Sequence, residues 1–66
     1  MCLSTVYMNL GDKQKEIMKD VAHIQADGQG FWFINLFGER EFVEGSIQSV
    51  DLVDQHLVIL TKESTN

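Results

Sequence analysis

The sequence predicts a small all-β domain, a barrel or sandwich of five or six short antiparallel strands. Three observations carry that prediction. Short runs rich in β-branched and aromatic residues recur along the chain. Tight-turn chemistry separates them, most clearly at Asp27-Gly28-Gln29-Gly30. Proline is absent, so no strand is interrupted by a residue that cannot donate to a ladder.

Cys2 to Met8 reads as the first strand. Leu3, Thr5 and Tyr7 share one face, and Cys2, Ser4, Val6 and Met8 the other. Asn9 to Lys13 is turn chemistry, with Gly11 free to take positive φ. Lys13 to Asp27 is open on local evidence. Ile17, Val21 and Ile24 recur at helical spacing, Asp12 could cap the start and Gly28 the end. The same residues also fit two strands or one bent strand, which keeps an α+β fold as the alternative.

Phe31 to Phe37 has six large apolar residues in seven, a strand buried on both faces or covered on one by a partner. Such a strand in so small a protein predicts a subunit interface. Gly38 to Arg40 is a turn, Glu41 to Glu44 a short strand, and Gly45 its end. Ser46 to Val53 alternates loosely, Asp54-Gln55 is a turn, and His56 to Thr61 is the last strand. Lys62 to Asn66 is a polar tail.

The 66 residues make one domain, 1–66. A chain this short buries only about 60% of the surface it exposes when unfolded. It needs disulfides, a metal, a partner subunit or very regular packing. One cysteine rules out an intrachain disulfide and fits a reducing compartment. Ten acids against five bases give a net charge of −5 with no basic run, which argues against nucleic acid as a partner. No apolar run approaches the roughly 20 residues of a membrane span, and the start lacks signal-peptide character. A cytoplasmic protein without membrane contact is therefore expected.

Catalysis is not expected. Cys2 with His23 or His56 has no nucleophile signature in its spacing, and the glycines at 28 and 30 belong to a hairpin rather than a phosphate loop. His23 and His56 are read first as exposed or hydrogen-bonded histidines and second as metal donors. Met8 and Met18 read as core fillers, and Trp32 as core or interface. Cys2 has an ordinary reading, a small buried residue opening a strand. It also has a chemical one. With Met1 kept, the terminal amine, the Cys2 amide nitrogen and the thiolate form fused chelate rings, and a second chain can complete four donors. Planar nitrogen and sulfur donors suit Ni(II) or Cu(II), while thiolate also suits Cu(I) and zinc.

The Met1-Cys2-Leu3 start, the length, the acidic balance, Phe31–Phe37 followed by Gly38-Glu39, and the closing Val50-Asp51-Leu52 and Leu57-Val58-Ile59-Leu60 resemble the CooT family. The resemblance spans nearly the whole chain. It implies a homodimer of SH3-like β-barrels in which Cys2 holds one Ni(II) between subunits; Met1 as a further donor follows from the terminal chelate alone, because the resemblance carries onto Cys2 only. It also implies a metallochaperone or nickel store that serves maturation of carbon monoxide dehydrogenase or another nickel enzyme. Relatives have been labelled RNA-binding, a label the charge here does not support. The resemblance favours strands over helix for Lys13–Asp27. The rival reading is a small protein-interaction module with a buried structural Cys2.

Overall fold

The structure, a computed structural model, describes residues 3–62. Six strands follow one another: β1 Ser4–Asn9, β2 Gln14–Asp27, β3 Gly30–Asn35, β4 Arg40–Glu44, β5 Ser46–Asp51 and β6 Leu57–Thr61. The described residues contain no helix. All six strands form one sheet in the order β4-β3-β2-β1-β6-β5.

Two features depart from the expected antiparallel barrel. β1 and β6 pair in parallel, Thr5 beside Leu57 through Asn9 beside Thr61. The sheet is also open, because β4 and β5 are its two edges and no ladder joins them. Only Gly45 separates these edges along the chain. The sheet must therefore curl until its margins meet at that corner. The Gly45 N–H completes the bend by donating to the Gln29 carbonyl at 3.1 Å.

The segment with two readings is one long strand rather than several short ones. β2 pairs with β1 through its first half and with β3 through its second, and Val21 sits between Ser4 and Asn35. From Ser4 to Tyr7 β1 advances three residues while β2 advances five, from Val21 back to Glu16. The extra residues are bulges, which bend a strand and tighten its twist. Asp20 takes left-handed backbone at φ 56, an uncommon conformation for a residue other than glycine. Each extra residue resets the alternation, so Ile17, Val21 and Ile24 reach the core at spacings that imitate a helix.

The core is Val6, Met8, Val21, Phe33, Val58 and Leu60, with Ile17, Met18, Ile24, Phe31 and Val43 packed against it. β1 and β6 deliver their share by simple alternation, with Ser4, Val6 and Met8 inward on one and Val58 and Leu60 on the other. β3 contributes Phe33, which is fully buried and 6.3 Å from the Phe31 ring. On the opposite face Trp32 packs on Phe42 at 5.2 Å and donates its indole N–H to Asp27 at 3.0 Å. The strand expected over Phe31–Phe37 stops at Asn35. Leu36 and Phe37 swing out into the following turn and do not extend an interface strand.

Candidate metal centre

The expected donors, Met1 and Cys2, lie outside the described residues. What the structure gives is the surroundings of the strand that follows them. β1 begins at Ser4, which is buried beside Val21. On its other side the Thr5 N–H donates to the His56 carbonyl at 3.0 Å. Two loops flank this end of the sheet, 36–39 between β3 and β4, and 52–56 between β5 and β6.

One side chain fastens each loop. Asn35 Oδ1 accepts from the Phe37 and Glu39 N–H groups at 3.0 and 2.9 Å. Its Nδ2 donates to Glu39 Oε1 at 2.7 Å, and the Leu36 N–H reaches the Asp20 carbonyl at 2.9 Å. Asp51 Oδ1 accepts from the Val53 and Asp54 N–H groups at 3.1 and 3.0 Å. Both are Asx turns, in which a short side chain replaces a backbone acceptor. The loops so held carry the four most exposed large apolar side chains described: Val53 at 85%, Phe37 at 74%, Leu52 at 61% and Leu36 at 56%. Sequence reading placed Asn35 within the strand 31–37 and Asp51 within the loosely alternating stretch 46–53. The signal that could have found them is an Asx residue two positions before an amide that has no ladder partner.

The Asp54 N–H, then that of Val53, hold the Asp51 carboxyl below its usual range. Gln55 and the charge of His56 add less, and partial burial opposes the shift. A depressed carboxylate stabilises the loop above the ordinary carboxylate range and releases it as pH falls through the lowered value. The amide signals of Val53 and Asp54 should therefore titrate together at a pH below that range. A midpoint at or above it would show that these bonds do not persist in solution. Asp51→Asn should keep both bonds, since it retains the Oδ1 acceptor, and Asp51→Ala should lose them.

The histidines separate. His23 is exposed on β2 and lines an apolar cleft of about 300 Å³ with Ser4, Val21, Ile24, Val50 and Leu52. His56 takes left-handed backbone at φ 52, directly beside the start of β1. Its Nδ1 is buried and has no hydrogen-bond partner. Among the described residues no three His, Cys, Asp or Glu side chains stand close enough to share an ion. Nor is there, among these residues, a helix long and apolar enough to cross a membrane.

No functionally curated protein matches the chain. Among solved structures it is similar to a crystal structure described as CooT from Carboxydothermus hydrogenoformans. The two are 27% identical with a TM-score of 0.87, over 96% of this chain and 100% of the other. The family model for CooT, the CO dehydrogenase accessory protein, matches residues 1–60. The chain therefore belongs to the CooT family and is an accessory protein of carbon monoxide dehydrogenase rather than itself a catalyst.

Proposed function

We propose that the protein binds Ni(II) and stores or delivers it, in the cytoplasm, for maturation of carbon monoxide dehydrogenase or another nickel enzyme. Two chains associate, and each contributes Cys2 thiolate with terminal or main-chain nitrogen from Met1 and Cys2 to one ion. The observation that carries this reading is the apolar surface beside the start of β1. Leu52 and Val53 stand exposed there, next to a cleft lined by Val21, Ile24, Val50 and Val58 and by no carboxylate, lysine or arginine. Burying apolar area of this kind is the usual driving force for association, at about 25 cal/mol per Å². A second copy seated on this surface has its own β1 start close by, and two weak chelates become one four-donor site.

The residue chemistry fits the metal. Thiolate and nitrogen donors suit nickel, and the unpartnered His56 Nδ1 is an imidazole nitrogen beside the same strand start. Native mass spectrometry during nickel titration is expected to give one ion per two chains. Val53→Asp should leave the fold intact, since the side chain is exposed. It should shift the protein toward monomer and weaken nickel binding by at least about 10-fold, as expected for a charge buried in an apolar interface. One ion per chain, or unaltered nickel affinity in a monomeric Val53→Asp, would remove the shared site.

A further inference from the structure

The second loop at this end of the sheet differs from the first in charge, and that difference identifies its occupant. Phe37 is the most exposed aromatic side chain described, and it borders a shallow cleft with Glu16, Asp20, Glu39, Glu41 and Lys19. Four carboxylates against one ammonium leave a net charge of −3 around the ring. Arg40, between two of these acids in sequence, does not line the cleft. The ring is not on a loose loop. Asn35 holds the Phe37 and Glu39 amides and the Glu39 carboxylate, and Asp20 holds the Leu36 amide. A turn whose backbone is held in advance loses little backbone freedom on docking.

A second copy of this chain is a poor occupant. Two such surfaces would set −3 against −3, and like charge juxtaposed at an interface suppresses pairing. The uncharged cleft by Leu52 and Val53 carries no such penalty. We infer that the Phe37 turn is the docking site for the client enzyme, and that the enzyme receives the ring in an apolar pocket bordered by Lys and Arg. This rests on the accessory role proposed above. It adds a division of labour between the two loops beside the start of β1: one joins two chains, and the other presents them to the enzyme. The client then binds within a few strand widths of the strand start that follows the metal donors.

The test uses the full-length, nickel-free protein and nickel-free carbon monoxide dehydrogenase as the probe, with affinity read by biolayer interferometry. Phe37→Ala is expected to weaken binding about 10- to 100-fold, the range of a central aromatic anchor. Its thermal midpoint should stay within a few degrees of wild type, since the ring is exposed. Glu16→Gln with Glu41→Gln should weaken binding and flatten its loss between about 50 and 500 mM salt. Neither variant should alter nickel affinity, titrated separately. Wild-type protein that does not bind the enzyme, or Phe37→Ala that binds it equally well, overturns the docking site and leaves the nickel reading standing. Nickel affinity that does not depend on Cys2, with docking still lost in Phe37→Ala, removes the metal reading alone.

Discussion

Cys2→Ser is expected to abolish tight nickel binding while leaving the protein folded. The thiol is the only sulfur donor of its kind in the chain. Serine cannot replace it, because its hydroxyl keeps its proton at neutral pH and its oxygen is a poor ligand for a borderline-soft ion. Removing only the hydrogen-bond partner of a metal ligand costs about 10- to 100-fold in affinity. Losing the ligand itself should cost more than about 100-fold. In the proposed dimer each substitution removes two ligands at once, so the loss appears as absent binding and not as a shifted curve. Isothermal titration with nickel measures it, and disappearance of the thiolate-to-nickel absorption reports the same event spectroscopically. Equal affinity in wild type and Cys2→Ser would sink the metal site.

The same site fixes a pH dependence. Nickel must displace protons from the thiol and the amine, so affinity should rise with pH through the neutral range and protons should be released on binding. Two thiolates on one ion at about 2.2–2.3 Å, by comparison with zinc–thiolate bonds, require sulfurs within roughly 4.6 Å of each other. The rival reading makes the opposite set of predictions. A buried structural Cys2 is inert to alkylation in the metal-free protein, and nickel changes nothing.

How much of this could be read from residues alone depends on whether the information was local. The turn at Gly28 was legible, because Asp27 pairs with Gly30 across it as a tight hairpin requires. The alternation of β1 was legible for the same reason, with Ser4, Val6 and Met8 on the inward face. The parallel pairing of β1 with β6 was not, since partners separated by some fifty positions leave no mark in either segment. The long strand was disguised by its own bulges, which convert a period of two into spacings of three and four. Leu36 and Phe37 read as strand because they are apolar. What ends the strand is Asn35, whose side chain takes the Phe37 and Glu39 amides in place of a ladder partner, while the Leu36 amide turns to the Asp20 carbonyl. Cys2 was singled out by its chemistry, whereas the loops around the start of its strand could be seen only once the sheet was assembled.

Gly45→Ala should be among the most destabilising single-methyl changes in the protein, and it bears on how the open sheet holds together. Gly45 is buried at φ 147, where an L side chain is strained. An added Cβ would stand 2.7 Å from the Thr61 carbonyl oxygen. That oxygen cannot easily retreat, because Thr61 is paired with Asn9 on one side and Ser46 on the other. Backbone strain of about 1–3 kcal/mol adds to overpacking of about 1–3 kcal/mol. A chain of this length is stabilised by only about 3–10 kcal/mol in total, so the cost approaches the whole. The thermal midpoint should fall by at least about 10 °C, given about 4–8 °C per kcal/mol at this size. Gly11→Ala is the control: its φ is 87 but a Cβ there meets nothing within 4 Å, so it carries the strain without the clash. If Gly45→Ala melts no lower than Gly11→Ala, the corner yields more readily than its geometry implies. This residue joins the two edge strands along the chain, and β5 carries the Asp51 anchor. Loosening should therefore begin at β5, and the Val53 and Asp54 amides should lose hydrogen-exchange protection before those of β1 and β2.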